Sequence, residues 1–276
     1  MVLVSIIMLT HNKTDMTRRC VDSIFRHTDV PFEIIFIDNA STDDTAAYLK
    51  TVPKSKVIEN KENRGFAAGC NQGIKSAAGD YILLLNNDTV VTAGWLTGLL
   101  ESLNADPLRG IVGPVSTNVA PIQCVYDLKG TSIEDIDSYA HERKQAFAGQ
   151  GFFPHKLIGF CMLFRRSLVD LIGGLDERFY PGNYEDDDFS IRARAAGQKL
   201  WVAQDTFIYH EGQGSFSGTA RTKEYRLQSL ENAQRFRDKW NIGLSAFEID
   251  LRGYNPSEIV AKENVFLPER HVVPLS

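Results

Sequence analysis

Three clusters of polar residues have the types and spacing to do chemistry. Asp88 closes the run Tyr81-Ile82-Leu83-Leu84-Leu85-Asn86-Asn87-Asp88, in which apolar side chains stop abruptly at polar ones. A short apolar run bounded by turn residues reads as a strand buried on both faces, and open α/β sheets bind ligands beyond the carboxyl ends of such strands. Asp88 would then sit on a rigid element at the lip of a groove, although Asn and Asp there would also suit a helix cap. The second cluster is Glu185-Asp186-Asp187-Asp188. Acids at a helix N-terminus are stabilising by roughly 0.3–1 kcal/mol each, but consecutive acids repel, so the dipole is a poor reason for all of them. Asp188 and Arg192 stand at i and i+4 and can pair, which gives Asp188 a structural role. Glu185 and Asp186 are left beside Gly182-Asn183-Tyr184, where a carboxylate could take a proton from an incoming hydroxyl. The third is His210-Glu211-Gly212-Gln213-Gly214-Ser215. A lone His is commonly structural, but with Asp88 at the same groove it would make an oxygen-plus-imidazole site for Mn²⁺ or Mg²⁺.

Further polar residues end other apolar runs: Thr10 and Asn12 after the first, Asp38 and Asn39 after the second. Strand ends are often polar for turn reasons. Parallel pairing would bring all of these ends to one edge, however, and that combination favours a nucleotide site. Asn63-Arg64-Gly65 adds a cation and a permissive backbone suited to phosphate oxygens, against the plainer reading of Arg64 as a solvated charge.

The elements that must position these residues are legible from periodicity. Apolar runs at 2–9, 32–37, 57–58, 81–85, 110–114 and 157–164 read as strands. Helical spacing links Met16, Cys20 and Ile24, then Ala46, Ala47 and Leu49, then residues 66–78, then Trp95, Leu96, Leu99, Leu100 and Leu103. Strand, helix, strand, helix at this rhythm predicts parallel pairing in an α/β fold, a mostly parallel central sheet flanked by helices. Residues 116–153 lack clear periodicity and read as irregular. After Arg165 a short helix should stop at Gly173-Gly174. Residues 185–196 should form a helix closed by Gly197, followed by a strand at 200–202 and another apolar stretch, 207–209, leading to His210. Residues 222–240 form a charged amphipathic helix carrying Tyr225, Leu230, Ala233 and Phe236.

At 276 residues, 43% hydrophobic and 24% charged, the composition is that of a globular protein. The net charge of −5 gives no basic footprint for nucleic acid. The apolar start lacks a basic leader and no stretch is long enough to cross a bilayer. The four scattered cysteines lack a Cys-x-x-Cys pair, so a cytoplasmic, reducing setting is expected. The division expected is residues 1–220 as the main domain, with halves at 1–115 and 116–220, and a helix and tail at 221–276.

Taken in order, these motifs resemble the inverting family 2 glycosyltransferases of the GT-A nucleotide-diphosphosugar-binding fold. The carriers are the 5–12 strand, Asp38-Asn39-Ala40-Ser41-Thr42-Asp43, Asn63-Arg64-Gly65-Phe66-Ala67-Ala68-Gly69-Cys70-Asn71, Leu84-Leu85-Asn86-Asn87-Asp88, Gly174-Leu175-Asp176-Glu177-Arg178-Phe179, Glu185-Asp186-x-Asp188 and His210 with Ser215. The likeness is to the rhamnosyltransferase-like, bacterial cell-surface branch. It implies a UDP- or dTDP-sugar donor, held by Thr10, Asn12, Asp38, Asn63, Arg64, Gly65, Asn71, Asn86 and Asn87, with Asp38 at the base and Asn87 near the ribose. It further implies a divalent metal, Mn²⁺ or Mg²⁺, on Asp88 and His210, and Asp186 as catalytic base beside Glu185. Asn86 stands where the usual Asp-x-Asp begins with an acid, which removes a charge near the metal. The acceptor implied is a glycan, lipid-linked molecule or protein, with peripheral contact at the inner membrane face. The alternatives are a sugar-nucleotide-binding module without catalysis, or a nucleotidyltransferase of similar topology. The latter would need a Gly-rich basic loop after the first strand, which Thr10-His11-Asn12-Lys13 is not.

Overall fold

Apolar residues on both faces of the first strand explain why it lies in the middle of the molecule. In a computed structural model describing residues 2–212, 223–240 and 266–275, β1 (Val4–Thr10) sends Val4, Ile6 and Met8 into one apolar layer and Ile7 into the other. It is followed by α1 (Thr14–His27), β2 (Phe32–Asp38), α2 (Thr45–Leu49), β3 (Ser55–Glu59), α3 (Gly65–Ser76) and β4 (Tyr81–Leu85). Next come β5 (Thr89–Val91), α4 (Trp95–Asn104), β6 (Arg109–Ser116), α5 (Ile133–Ala146), β7 (Gly151–Phe152) and β8 (Cys161–Arg165). The chain continues through α6 (Arg166–Ile172), α7 (Glu185–Ala195), β9 (Lys199–His210), α8 (Lys223–Trp240) and α9 (Pro268–His271).

The strands form one mixed sheet in the order β3-β2-β1-β4-β8-β6-β9-β5, with β7 beside β9. β3, β2, β1 and β4 are parallel neighbours, so Thr10, Asp38 and the residues after Leu85 emerge at one edge. The α/β architecture follows the periodicity. So does the mostly parallel sheet, into which β8 enters antiparallel between β4 and β6. On one face α1 and α4 bury Cys20, Ile24, Trp95 and Leu99. On the other, α3, α6 and α7 bury Ile74, Ile172 and Phe189. None of the described helices is long and apolar enough to cross a membrane.

Several expectations need correction. The 116–153 stretch contains α5, which lacks an apolar stripe because it buries little beyond Ile136 and Ala140. Its signal is a capping box: Asp135 N donates to Ser132 Oγ at 3.1 Å, and Ser132 N donates to Asp135 Oδ2 at 3.3 Å. The strand read at 157–164 starts only at Cys161, since residues 157–160 turn toward the site. The two stretches at 200–202 and 207–209 are one strand, β9, carried across a register shift opposite Pro114 and Val115. β5 and β7, too short for periodicity to show, were not expected. In α8, Ala233 and Phe236 are buried as expected, but Leu230 is exposed. The Tyr225 side chain and Gln213-Gly214-Ser215 lie outside the described residues.

Candidate active site

The ends of β4 and β9 bring Asp88 and His210 together. β5 pairs antiparallel with β9, setting Thr89 opposite His210, and His210 Nε2 lies 3.1 Å from Asp88 Oδ1. Glu211 N donates to the Asp88 carbonyl at 2.9 Å. The His210 ring is stacked on Phe160 at 5.2 Å, and its Nδ1 is buried without a hydrogen-bond partner. A carboxylate beside an imidazole with an unmet ring nitrogen fits a divalent ion that accepts oxygen and nitrogen donors. Among the described residues no group of three or more His, Cys, Asp or Glu side chains is arranged to hold a metal. The protein would therefore contribute Asp88 and His210, with substrate oxygens completing the shell.

The ends of β1 and β2 form the neighbouring part of the edge. Thr10 Oγ1 lies 3.4 Å from Asp38 Oδ1, and both residues are buried. Asn12 takes a left-handed backbone (φ 60), and its Oδ1 accepts from Thr42 N at 2.7 Å, tying the β1 and β2 loops together. Asn39 extends this link: its N donates to the Thr10 carbonyl at 2.8 Å and its Nδ2 to the Gly65 carbonyl at 3.2 Å. Asn60 Nδ2 in turn donates to Asn39 Oδ1 at 2.8 Å. Asn39 was named from sequence only as a polar strand end and Asn60 not at all, since an Asn bracing two loops looks like any turn Asn. Asn63 Oδ1 accepts from Gly65 N at 2.9 Å, and Arg64 is exposed at the start of α3. Gly65 has φ +80, and a Cβ there would lie 2.8 Å from the Tyr180 ring, so only Gly suits this crossing.

Three of the expected donor residues have partners within the fold. Asn71 is 1% exposed. Its Nδ2 donates to the Leu175 carbonyl at 2.8 Å and its Oδ1 accepts from Leu175 N at 2.8 Å. It braces the 174–177 turn. Asn87 is buried, with Nδ2 donating to Thr17 Oγ1 of α1 at 2.9 Å. Asn86, partly buried, reaches the site's frame through its backbone, its N donating to the Phe160 carbonyl at 2.8 Å.

The acidic run opens α7, as its composition requires, after left-handed Asn183 and Tyr184. The structure separates its first two members. Glu185 is buried and its Oε2 lacks a hydrogen-bond partner; burial first, then the Asp186 charge, hold its carboxyl well above the usual range. Its side chain is thus buried where the protonated form is favoured, not open at a cleft. Asp186 accepts from Gly159 N at 2.9 Å and from Asp187 N at 2.9 Å. Burial, then the neighbouring Asp187 charge, raise it to about 6 against the opposing pull of Lys156 and those two donors. Lys156 pairs with Asp187 at 2.8 Å.

The 157–160 turn joins the two parts of the site. Gly159 donates to the Asp186 carboxylate, while the next residue, Phe160, accepts from Asn86 and stacks on His210. The 180–184 loop joins the start of α7 to the start of α3, because Phe66 N donates to the Pro181 carbonyl at 2.9 Å. α8 holds that loop: Asn232 Nδ2 donates to the carbonyls of Tyr180 (3.1 Å) and Gly182 (2.9 Å), and Phe236 packs on Tyr184 and Phe179. Asp188 is the hub behind Asp186. It accepts from Arg192 Nε (2.8 Å) and Trp240 Nε1 (3.0 Å), and pairs with Lys239 at 2.6 Å. Lys239 and Trp240 carried no readable signal in the sequence, since their partner lies far along the chain.

The comparisons with known proteins agree with this architecture. N-acetylglucosaminyl-diphospho-decaprenol L-rhamnosyltransferase of Mycobacterium tuberculosis is 24% identical over 243 residues, covering 76% of each protein. The chain spans only 30%, 18% and 13% of the length of three other curated relatives it matches. In fold it is similar to a Pyrobaculum calidifontis mannosyltransferase in complex with GDP-Man and Mn²⁺ (TM-score 0.63, 20% identity, 94% of this chain and 73% of that one). It is also similar to Staphylococcus aureus TarS 1-349 in complex with UDP-GlcNAc (TM-score 0.61, 17% identity, 96% and 72%). Residues 5–173 match the family described as Glycosyl transferase family 2, and that match, over more than half of the chain and every strand of the parallel edge, shows that the chain belongs to glycosyl transferase family 2.

Proposed function

We propose that this chain transfers a sugar from a nucleotide-diphosphate donor to an acceptor hydroxyl in a single displacement with inversion. The observation that carries the reading is the 157–160 turn, which links the Asp186 carboxylate to Asn86 and to the Asp88–His210 pair. Donor-side and acceptor-side chemistry then share one frame. The Thr10, Asn12 and Asp38 end of the sheet takes the nucleoside, and Asn63, Arg64 and Gly65 lie along the donor. A divalent cation on Asp88 and His210 would neutralise the charge that develops on the departing diphosphate. Asp186, held by two backbone donors, takes the proton from the acceptor hydroxyl oxygen as that oxygen attacks the anomeric carbon. A carboxyl raised to about 6 is a stronger base than an ordinary aspartate and is still ionised at neutral pH. Burial of Glu185 favours its protonated form, which leaves Asp186 as the single base and suits one displacement by analogy with inverting glycosidases. The likeness to the rhamnosyltransferase and to the UDP-GlcNAc and GDP-Man complexes supports a nucleotide-sugar donor. It also supports an acceptor of the glycan or lipid-linked kind, with residues 1–220 as the catalytic domain.

The test is calorimetric titration with UDP, dTDP and GDP, with and without Mn²⁺, followed by NMR of the product's anomeric configuration. Tight metal-assisted binding of one nucleotide and an inverted product are expected. A retained configuration would remove the single displacement, and no nucleotide binding would leave a non-catalytic sugar-binding module.

A further inference from the structure

A cavity of about 340 Å³ lies between α1, residues 131–136 and the paired ends of β5 and β9. That volume is at the small end of the range for ligand pockets, about 300–1,000 Å³. Strand alternation separates it from the candidate active site. His210 turns its ring onto Phe160, while Tyr209, Glu211 and Val90, which pairs with Tyr209, line the cavity. The paired ends of β5 and β9 therefore turn His210 to one side and this pocket's lining to the other.

The lining has a mixed chemistry. Tyr209, Val90, Ile133 and Ile136 supply apolar surface. Arg19 and Glu211 form an ion pair at 2.6 Å, with the arginine side chain 58% exposed. Asp22 and Arg26, both exposed, add a second carboxylate and a second guanidinium one helical turn apart on α1. Two positive and two negative groups balance, which disfavours a strongly charged ligand such as a phosphate. Guanidinium and carboxylate groups can instead each bond two adjacent hydroxyls, as donor and acceptor forks, while the apolar floor takes a ligand's C–H face.

We propose that this pocket binds an uncharged, hydroxyl-rich ligand, a short stretch of glycan, on the side of the β5–β9 pairing opposite His210. The inference rests on the sugar-transfer reading for its choice of ligand class. A glycan held here would dock on Arg26 and Asp22 and contact the Arg19–Glu211 pair, whose acidic member directly follows His210.

The test is methyl NMR of the full chain with labelled isoleucines, titrated with maltotetraose, cellotetraose and chitotetraose, and separately with glycerol 3-phosphate. Saturable shifts at Ile133 and Ile136 with at least one glycan are expected, weakened about ten-fold in Arg26→Ala and in Asp22→Ala, the size of one lost charged hydrogen bond. Silence at both methyls with all three glycans overturns the proposal, as does tighter binding of glycerol 3-phosphate, or glycan shifts unaltered in both variants. UDP is read independently at Ile37, beside Asp38. A UDP response with silent Ile133 and Ile136 removes only the pocket's role. Glycan shifts without a UDP response remove only the donor reading.

Discussion

Asp88 Oδ1 and His210 Nε2 lie 3.1 Å apart although 122 positions separate them in the chain. The contact exists because β5, immediately after Asp88, runs antiparallel to the last residues of β9. The Phe160 ring stacks on the imidazole at 5.2 Å, which holds it in one orientation before any ligand arrives.

His210→Ala should therefore weaken Mn²⁺ binding in the presence of UDP by at least about ten-fold, the usual scale for loss of a group that orients or supplies a metal ligand. Nucleotide affinity measured without metal should stay unchanged. Manganese EPR titration reads both; equal Mn²⁺ affinity in the two proteins would take His210 out of the metal site.

Asp186→Asn should lower turnover by about two orders of magnitude or more while UDP affinity, by calorimetry, remains near that of the parent. In the parent, turnover should fall as pH drops through about 6, because the protonated carboxyl cannot accept a proton. The same raised value makes a stability prediction. A carboxyl whose folded pKa exceeds its unfolded one destabilises the fold at pH above the folded value and not below the unfolded one. Asp186→Asn should then raise Tm at pH 7.5, with the gain vanishing near pH 4. A Tm gain of equal size at both pH values would contradict the assignment.

Asp188→Ala leaves the fully buried Arg192 guanidinium without its carboxylate, and takes a partner from Lys239 and Trp240. Breaking a buried pair from one side costs about 3–5 kcal/mol. Urea unfolding should show a loss of this size, and Trp240 emission should shift toward that of a solvated indole. A loss under about 1 kcal/mol would mean that α8 does not depend on this hub.

Asp176 tests the other anchor of α8. Burial alone would raise its carboxyl, but hydrogen bonds from Arg178 and the charge of Lys239 outweigh it and hold it well below the ordinary value. Such a group stabilises the fold fully above its unfolded pKa of about 3.9, and that stability is lost as pH falls through the folded value. Asp176→Asn should therefore unfold more easily than the parent at pH 7, with the gap narrowing below pH 4. A gap independent of pH would point to packing rather than charge.

Gly65→Ala forces a methyl against Tyr180 and the Pro181 carbonyl at a left-handed φ. The 180–184 loop that precedes Asp186 must move. KM for the donor and turnover should both worsen, while Tm drops modestly. An unchanged donor KM would show that the α3 start does not contact the donor.

Local sequence determined a good deal of this protein. Apolar runs placed β1, β2 and β4, their polar ends named Thr10, Asp38 and Asp88, and the i, i+4 spacing of Asp188 and Arg192 identified an acid of the α7 run that serves structure. Each is a signal carried within a few residues, through strand alternation, turn chemistry or helix geometry. The ordered motifs carried the family as well. α5 was readable in principle from Ser132 and Asp135, but a mostly exposed helix has no apolar stripe to announce it. Only the tertiary structure decided that β8 runs antiparallel beside β4, that Glu185 turns inward while Asp186 does not, that Asn71 serves the 174–177 turn, and that Lys239 and Trp240 close on Asp188. Those outcomes depend on which distant groups exclude water from one another and which donors find which acceptors. No window of neighbouring residues contains that information, because the partners meet only once the sheet has assembled.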